Sequence, residues 1–350
     1  MSSAMKSYFR RLAEGYDYGS ISQCLKPFLG AAESCYGSGV NWMKKMYDQK
    51  VFKRHRLPFP VVSVGNITWG GTGKTPFVEY LSRRVSELQK TPLVLTRGYN
   101  HDEVVQFQHH IPQAVLGVGK NRVEVAAKIS KEKPVHIAIL DDGLQHWPLE
   151  RDLDIVLVNV LNPFGNGRLI PKGILREPVA GLQRAGVIVL SHVNLISQEE
   201  VKKLKEKIRS IAPKANLVES FLEPLFLYRA KTRERFMFDK LQNKPVATFS
   251  GVGTPISFQK LVAKLQMKPV LNYEFTDHHE FTEKELLEIK EGAEAKSVQE
   301  MITTEKDFFR STELITKVLN PLVLATRLRI RSGEDMLSER LAKLLGVAKK

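Results

Sequence analysis

The sequence predicts an α/β protein in which a parallel sheet is sandwiched between helices. From Pro60 onward, short apolar runs alternate with helical segments, and the runs are apolar at successive positions, so that both faces of each strand would be buried. Strands of this kind are typical of a parallel sheet covered by helices on each side. The runs span 61–64, 93–96, 135–140, 155–160 and 187–190, and the helical segments lie near 76–89, 119–131 and 197–210.

The composition is that of a globular protein large enough for about two domains. The chain has 350 residues, of which 43% are hydrophobic and 26% are charged, and a domain takes roughly 150 residues. A chain of this length buries a substantial core without disulfides. Its two cysteines, Cys24 and Cys35, are too few for a zinc knuckle. Wholesale disorder, a collagen-like fibre and a disulfide-stapled small domain are therefore excluded.

The charge balance is strongly basic, with 53 Lys and Arg residues against 38 Asp and Glu residues, a net charge of +15. Such an excess attracts nucleic acid, anionic lipid surfaces or phosphorylated substrates, and it does not choose between them. No apolar run reaches the roughly 18 residues that a spanning helix needs. The first residues also lack the apolar stretch of a signal peptide. We therefore expect neither a transmembrane segment nor a secretory signal.

Residues 1–59 form the first predicted segment, which is helical and partly amphipathic. Apolar and aromatic residues are interrupted there by glycines, and a basic cluster follows. Two interpretations stay open: the segment lies in a membrane interface, or it packs on its own domain and leaves its basic end in water. The basic cluster consists of Lys44, Lys45, Lys50, Lys53, Arg54 and Arg56.

The next predicted domain spans 60–224 and contains the alternation of apolar runs with helical segments. This regular alternation ends after Pro224. Residues 226–238 read as two strands with charged residues at their turn, which predicts a two-stranded hinge at 225–243. A second, smaller α/β domain is predicted at 244–350, and its C-terminal segment either stays with this domain or returns to the first one. Thr282 and Glu285 have the spacing of a capping box at a helix start. The predicted strands of this domain are 246–249, 270–275, 301–303 and 322–325.

The glycine-rich loop after the first strand is the most informative segment. Glycines let the backbone N–H groups point inward at phosphate oxygens, and the following helix start adds partial positive charge. In such a P-loop the ammonium of Lys74 would reach the β- and γ-phosphates and the Thr75 hydroxyl would bind Mg²⁺. The strict pattern has glycine where Thr68 stands, so the loop is a variant, and the alternative is a plain glycine turn. The predicted phosphate-binding residues are Gly70, Gly71, Thr72, Gly73, Lys74, Thr75 and Pro76.

Two carboxylates, Asp141 and Asp142, follow the apolar run 135–140. Ligands of parallel α/β sheets bind at the carboxyl ends of the strands. Beside a phosphate loop, a carboxylate in this place normally holds Mg²⁺, directly or through water. The prediction is a magnesium site formed by Thr75, Asp141 and Asp142, and the alternative for either aspartate is a helix cap or a turn.

Several motifs in a fixed order resemble the tetraacyldisaccharide 4′-kinase family, also called the lipid A 4′-kinases, from about residue 26 to about residue 330. One such motif would be weak support, but the set in this order is highly specific. The motifs are SVGN (63–66), GGTGKTP (70–76), TRGY (96–99), DDGLQH (141–146), GNGRLIP (165–171), GILREP (173–178), SGVGTP (250–255), FTDHH (275–279) and TTEKD (303–307).

The resemblance implies an enzyme that moves the γ-phosphate of ATP to the 4′-hydroxyl of an acylated glucosamine disaccharide, with ATP and Mg²⁺ as cofactors. It implies two α/β/α domains joined by a two-stranded hinge, with the active site in the cleft. It also implies a peripheral membrane protein on an anionic surface, at the cytoplasmic face of a bacterial inner membrane or in an organelle such as the mitochondrion. The acyl-chain preference and the oligomeric state are left open.

The resemblance further implies an Asp-His dyad that activates the sugar hydroxyl, and the matching residues are Asp102 and His278. An aspartate that holds a histidine sets its tautomer and raises its basicity. His101 stands where the family usually has glycine, and the stretch before Asp102 is short. The alternatives are a surface turn for Asp102, a core position for His278, and His279 as the functional histidine.

The glycine-rich segment 165–178, which follows the apolar run 155–160, contains the candidate substrate contacts Asn166, Arg168 and Arg176. The alternative for this segment is a loop held by local hydrogen bonds. Glu305 and Asp307 follow a predicted strand, where a ligand-facing loop and a helix cap are both open. Trp69 and Trp147 lie beside the main motifs, and contact with nucleotide or lipid competes there with plain aromatic packing.

Two other functions remain as alternatives to the kinase. A P-loop GTPase or ATPase switch fits the GGTGKT core, although the guanine-specifying Asn-Lys-x-Asp tetrapeptide is missing from the sequence. A non-catalytic basic protein that binds anionic membrane is the second alternative. Nucleic-acid binding is not expected, because zinc ligands, an aromatic ribonucleoprotein strand and a basic recognition helix are missing.

Overall fold

The computed structural model describes residues 20–98 and 101–347, which divide into two compact units. The first unit contains the described residues up to Gly98, then Ile111–Ser220 and the described residues from Ile330 onward. The second unit contains the helix His101–His110 and the segment Phe221–Arg329. The start of the predicted N-terminal helical segment, residues 1–19, and Tyr99 of the TRGY motif lie outside the described residues.

The sheet of the first unit is parallel. Across the sheet its strands lie in the order 3-2-4-1-5-6-7, counted along the chain, and each neighbouring pair is parallel. The first strand is buried along its whole length, as expected where helices cover both faces. The predicted parallel sheet is confirmed. The strands are β1 (Val61–Gly65), β2 (Pro92–Thr96), β3 (Val115–Val118), β4 (Ile137–Asp141), β5 (Leu153–Asn159), β6 (Val187–Ser191) and the beginning of β7 (Asn216–Arg229).

The helices of the first unit begin where the local sequence supplies suitable caps. Asn121 and Ser197 each accept a hydrogen bond from a backbone N–H of the first turn that follows, which satisfies donors that have no partner inside the helix. The predicted helices near 76–89, 119–131 and 197–210 are confirmed within a few residues. The helices are α1 (Ser20–Asp48), α2 (Lys74–Glu87), α4 (Arg122–Glu132), α5 (Gln198–Ile211) and α10 (Glu334–Leu344).

The second unit has its own mixed α/β core. Its strands lie in the order 10-9-11-12-7, and strand 8 pairs antiparallel with strand 7. The predicted capping box is confirmed, because the Thr282 side chain accepts from Glu285 N while the Glu285 carboxylate accepts from Thr282 N at 2.9 Å. The elements are the end of β7, β8 (Arg235–Phe236), β9 (Pro245–Ser250), β10 (Lys268–Glu274), β11 (Glu300–Thr304), most of β12 (Leu322–Ser332), α3 (His101–His110), α6 (Pro255–Lys264), α7 (Glu283–Ala295), α8 (Glu305–Arg310) and α9 (Thr312–Val318).

The compact units do not coincide with the predicted domains at α3, nor at the C-terminal segment, whose described residues belong to the first unit from Ile330 onward. The sequence predicts residues 99–110 within the first domain, whereas α3 belongs to the second unit. The physical reason is an ion pair: Asp102 on α3 accepts hydrogen bonds from Arg310 on α8. The predicted strands within 226–238 are present as the end of β7 and β8, with Leu227 opposite Phe236. Their role as a hinge stays a prediction.

Helix α1 is the longest helix described, and most of its residues from Pro27 to Asp48 are exposed. Two side chains fix it on the loop after β5: Glu33 accepts from Leu169 N at 2.9 Å, and the Tyr36 hydroxyl donates to Arg176 O at 2.9 Å. Within residues 20–98 and 101–347, no helix is both long and apolar enough to cross a bilayer.

Candidate functional site

The glycine-rich loop leaves the carboxyl end of β1 and runs into the first turn of α2. Gly70 and Gly73 have φ values of 112° and 82°, a region of backbone space that side chains with a Cβ disfavour. Thr68, where the strict pattern has glycine, forms an antiparallel β-bridge with Leu175. Any L-residue can make such a bridge, so the variant loop keeps its course without a glycine at that position.

Two buried asparagine side chains donate hydrogen bonds to the glycine-rich loop. Asn66 Nδ2 donates to Thr72 Oγ1 at 3.0 Å, and Asn159 Nδ2 at the end of β5 donates to Gly71 O at 3.0 Å. The Thr72 hydroxyl is therefore a structural partner of Asn66. Fixed amides at the ends of neighbouring strands hold the curved backbone in shape before a ligand binds, which lowers the ordering cost of binding.

The first turn of α2 carries the residues that the P-loop pattern predicts for phosphate and metal. Phe77 N donates to Gly73 O at 3.2 Å, so the backbone N–H groups of Lys74 and Thr75 precede the first bond of the helical ladder. Pro76 occupies a position whose N–H would have had no helical partner. The free N–H groups and the helix dipole make this end of α2 suited to an anion.

Asp142 forms the centre of a charge cluster beside this turn. Arg176 Nη1 donates to both of its carboxylate oxygens, at 2.9 Å and 2.8 Å, and Lys74 Nζ lies 3.5 Å from Oδ1. Burial alone would raise the pKa of Asp142, but the charges of Lys74 and Arg176 outweigh it and lower the pKa far below the usual range. Asp142 is therefore an anion at neutral pH.

Asp141 is buried and ends β4, where it stands in register with Val64 of β1. The guanidinium of Arg122 donates to the backbone oxygens of Asp141 at 2.7 Å and of Asp142 at 3.3 Å. Within the described ranges, no cluster of three or more His, Cys, Asp or Glu side chains could hold a metal by itself. Mg²⁺ does not need one, because it takes few protein oxygens and completes its shell with phosphates and water. The oxygen donors Thr75, Asp141 and Asp142 fit that requirement.

The three candidate substrate residues fall into two groups. Arg176 lies in the charge cluster with Asp142. Asn166 instead braces its own loop: its side-chain oxygen accepts from Arg168 N at 3.0 Å, and its amide donates to Lys172 O at 2.9 Å. The Arg168 side chain is exposed. The local-hydrogen-bond alternative therefore describes Asn166, and substrate contact by Asn166, Arg168 and Arg176 stays a prediction.

The second unit brings Asp102 and His278 together, although 176 positions separate them. His278 Nδ1 and Asp102 Oδ2 are 3.3 Å apart. Arg310 donates to the same oxygen through Nε at 3.0 Å and Nη2 at 2.5 Å. Burial would raise the pKa of Asp102, but the hydrogen bond with His278 and the charge of Arg310 lower it well below the ordinary range. Asp102 is thus a buried anion that orients an imidazole.

His279 has a structural role. Its ring stacks on Phe275 with the centroids 4.6 Å apart, and its Nε2 lies 3.0 Å from Glu285 Oε2 at the start of α7. His278, in contrast, has φ of 58° and a side chain that is 29% exposed. A histidine held in a left-handed backbone conformation with an accessible ring is the better placed of the two for chemistry.

Of the remaining sequence candidates, Asp307 lies at a helix start and Trp147 is packed in the interior. Asp307 is buried and accepts from Gly251 N at 3.0 Å and Thr304 Oγ1 at 2.6 Å, as a helix-start residue does. Glu305 lies 3.6 Å from His110. Trp147 is buried under the guanidinium of Arg184, 4.9 Å from its ring centroid. Trp69 stays exposed.

Sequence reasoning missed two cationic residues that organise the sites. Arg310 holds Asp102 in the second unit, and the buried Arg122 holds the strand end of Asp141 in the first. A charged residue with under 2% exposure must be paired, but burial at position 122 cannot be read from a single sequence. The only local signal was the position of Arg310 three residues after the TTEKD motif.

His192, just after β6, is a buried histidine whose ring lies beside the Gly73 backbone. Burial lowers its pKa to about 4, whereas an unfolded chain has a histidine pKa of about 6.5. Between about pH 4 and about pH 6.5, the His192 imidazole is therefore protonated in the unfolded chain and neutral in the folded protein. Stability from neutral His192 is present above about pH 6.5 and is lost as the pH falls toward about 4.

We expect the wild type to lose about 2 kcal/mol more unfolding free energy than His192→Asn between about pH 7 and about pH 5. Asparagine tolerates the φ of 66° at this position. Trp42, Trp69 and Trp147 all lie in the first unit, so urea unfolding followed by their fluorescence reports on that unit. An equal loss of stability in the two proteins would contradict the burial of a neutral ring.

Comparison with known proteins adds an independent line of support. A family model described as tetraacyldisaccharide-1-P 4′-kinase matches residues 25–346. A probable mitochondrial tetraacyldisaccharide 4′-kinase of Arabidopsis thaliana is 35% identical over 348 residues, covering 89% of this chain and 88% of the relative. A tetraacyldisaccharide 4′-kinase of Halothermothrix orenii is 29% identical, covering 96% of this chain and 97% of the relative.

A solved structure of similar fold covers nearly the whole chain. It is the crystal structure of LpxK from Aquifex aeolicus in complex with ATP, with a TM-score of 0.66 and 26% sequence identity. The match covers 92% of this chain and 99% of that chain. The resemblance drawn from the motifs is confirmed.

Proposed function

The chain belongs to the tetraacyldisaccharide-1-P 4′-kinase family, and from this premise we propose that it transfers the γ-phosphate of ATP to the 4′-hydroxyl of a tetraacyldisaccharide 1-phosphate. This reaction is a step of lipid A biosynthesis. Phosphoryl transfer needs alignment and charge neutralisation more than covalent catalysis by the protein. The described side chains can serve both the alignment of the reactants and the neutralisation of charge.

The nucleotide is proposed to bind at the glycine-rich loop of the first unit. Backbone N–H groups from Gly70 to Thr75 surround the phosphates, and the ammonium of Lys74 neutralises charge on the transferred group. Arg176 and Lys74 each form an ion pair with Asp142, so a second cation lies beside the Lys74 ammonium. Support comes from the loop geometry and from the ATP complex of the similar structure.

Magnesium is proposed as the second cofactor. Thr75, Asp141 and Asp142 would hold the ion, which neutralises phosphate charge when it is bound. Asp142 keeps its negative charge at any pH near neutrality, because Lys74 and Arg176 hold its pKa down. A carboxylate that is always ionised suits a site that must bind a divalent cation.

The Asp102–His278 pair is the observation that favours a kinase over a nucleotide switch. A switch hydrolyses its nucleotide with water, whereas a sugar hydroxyl is a poor nucleophile that benefits from a positioned base. Asp102 accepts from His278 and is itself fixed by Arg310, so the imidazole is oriented before substrate arrives. We propose that His278 accepts the proton of the 4′-hydroxyl.

The function is tested by incubating the full chain with Mg²⁺, radiolabelled ATP and a tetraacyldisaccharide 1-phosphate in mixed micelles. The expected result is label in a lipid product that is absent when the acceptor or Mg²⁺ is left out. Release of inorganic phosphate at the same rate without acceptor would identify a nucleotide hydrolase. A protein that binds micelles and transfers nothing would be a non-catalytic membrane binder.

We further propose that the protein is peripheral to an anionic membrane and meets it through α1. Phe28 and Trp42 on this helix are 77% and 55% exposed, and exposed lysines follow. Aromatic side chains beside basic residues bind membrane interfaces through apolar burial and attraction to anionic lipid. Two compartments fit this placement, a bacterial inner membrane at its cytoplasmic face and the mitochondrion, which is named for the Arabidopsis relative.

Replacing Trp42 with alanine should lower binding to phosphatidylglycerol-containing vesicles about tenfold, because interfacial burial of an aromatic ring contributes more than 1 kcal/mol. Vesicle sedimentation measures the effect. Met237→Ala, which removes another exposed apolar side chain from the second unit, is the matched control and should leave binding unchanged. Equal binding of both variants would place the membrane contact elsewhere.

A further inference from the structure

The His278 imidazole has charged neighbours that its pairing with Asp102 does not explain. Lys306 Nζ lies 3.2 Å from His278 Nε2, on the side of the ring away from Asp102. Glu103 Oε1 and Asp277 Oδ1 each lie 3.7 Å from the same nitrogen. These groups come from α8, α3 and the loop after β10, all within the second unit. The TTEKD motif that carries Lys306 has no part in the function derived above.

The contact with Lys306 fixes the tautomer of His278. An ammonium group has hydrogens to donate and no lone pair, so Lys306 donates and Nε2 accepts. The ring proton is then on Nδ1, where it is donated to Asp102 Oδ2 at 3.3 Å. This tautomer is the one that a general base needs, with the lone pair on the nitrogen that faces away from the aspartate.

The same contact balances the charge around the ring. Asp102, Glu103 and Asp277 all face His278, and nearby carboxylates favour the imidazolium form, which has no lone pair. Arg310 neutralises Asp102. Lys306 Nζ lies 3.1 Å from Asp277 Oδ1 and 4.0 Å from Glu103 Oε1, so it offsets the other two carboxylates.

Lys306 is itself held in its charged form. Burial lowers the pKa of Lys306, but Asp277, Glu103 and Asp102 outweigh the burial and leave the pKa above the ordinary lysine value. The ammonium is therefore present at every pH at which the imidazole could act as a base.

We propose that Lys306 is a positioning residue that holds the His278 ring in the tautomer with the lone pair on Nε2. For its consequence in catalysis this inference rests on the proposed kinase activity. The acceptor hydroxyl takes the place of the ammonium at Nε2, and Asp277 and Glu103 retain Lys306. The hydroxyl proton then passes to Nε2 as the oxygen bonds to the γ-phosphorus and the bond from that phosphorus to the leaving ADP oxygen breaks.

The test is an NMR titration of the His278 ring in the full chain, without substrate. Loss of one signal in His278→Gln assigns the ring. In Lys306→Gln and Lys306→Met, the titration midpoint of His278 should rise by about one pH unit or more, because a cation next to Nε2 is lost and the carboxylates stay. Two replacements of different polarity keep the test valid if one of them folds poorly.

Two controls separate charge from packing. Lys306→Arg keeps the cation and should keep the midpoint near that of the wild type. Lys284→Gln removes an exposed lysine of α7 and should change nothing. A midpoint that stays constant or falls in both charge-removing variants would overturn the inference. Because the titration needs no substrate, it gives this answer whether or not the protein transfers phosphate.

The rate profile provides the second readout. In Lys306→Gln, the acid limb of kcat should move to higher pH by about the same interval as the NMR midpoint, with activity recovering in alkaline solution. A purely structural role for Lys306 would lower kcat by one factor at every pH. If the wild type shows no transfer while the NMR shift is present, the proposed function fails and the role of Lys306 stands.

Discussion

Replacing Lys74 with alanine should lower phosphoryl transfer by about a thousandfold or more, because the loop then lacks the ammonium that offsets charge on the transferred group. The side chain is 16% exposed and lies 3.5 Å from Asp142. Asp142 keeps its two hydrogen bonds from Arg176, so we expect the variant to fold. The measurement is initial rate with Mg-ATP and the lipid acceptor in mixed micelles.

The matched control is Lys128→Ala, which removes an exposed lysine of α4 in the same unit. Its rate should equal that of the wild type, and the thermal midpoints of both variants should lie close to that of the wild type. Transfer by Lys74→Ala within about tenfold of the wild-type rate would show that the glycine-rich loop does not bind the reacting phosphate.

Replacing His278 with alanine should lower kcat by about a hundredfold to ten-thousandfold, the contribution typical of a positioned base. The affinity for nucleotide should stay unchanged, because a general base acts on the acceptor hydroxyl and not on the nucleotide. Steady-state kinetics gives the loss in kcat, and calorimetric titration with ATP gives the affinity.

His279→Gln provides the control from the neighbouring residue. His279 stacks on Phe275 and contacts Glu285, so its replacement should lower thermal stability and leave kcat within a few-fold of the wild type. If His279→Gln lost the activity and His278→Ala kept it, the assignment of the two histidines would be reversed.

Strand positions followed from the sequence because each buried strand is a short run of apolar residues with clear ends. The run 155–160 predicted β5 (Leu153–Asn159) within two residues at its start and one at its end. Helix α3 was missed, because its sequence HDEVVQFQHH is polar and short. Its place in the second unit depends on an ion pair between residues 208 positions apart.

The candidate site also contains some features that depend on neighbouring residues and others that depend on residues far apart in the sequence. The glycine-rich loop was predictable, because its residues are contiguous and each has a local physical reason. The pairing of Asp102 with His278 followed from family resemblance alone, since no local pattern connects α3 with the loop after β10. Asn166 shows why a local pattern can also mislead. A polar side chain in a glycine-rich loop can hydrogen-bond to the backbone of its own loop as readily as it can bind a substrate.

The position of the transferred phosphate on the sugar decides whether the protein is a 4′-kinase. The lipid product is isolated after reaction with Mg-ATP and studied by phosphorus–proton correlation NMR. We expect a new phosphorus signal coupled to the sugar proton at carbon 4′, alongside the original signal of the 1-phosphate. A new signal coupled to any other proton, or inorganic phosphate as the sole new species, would contradict this expectation.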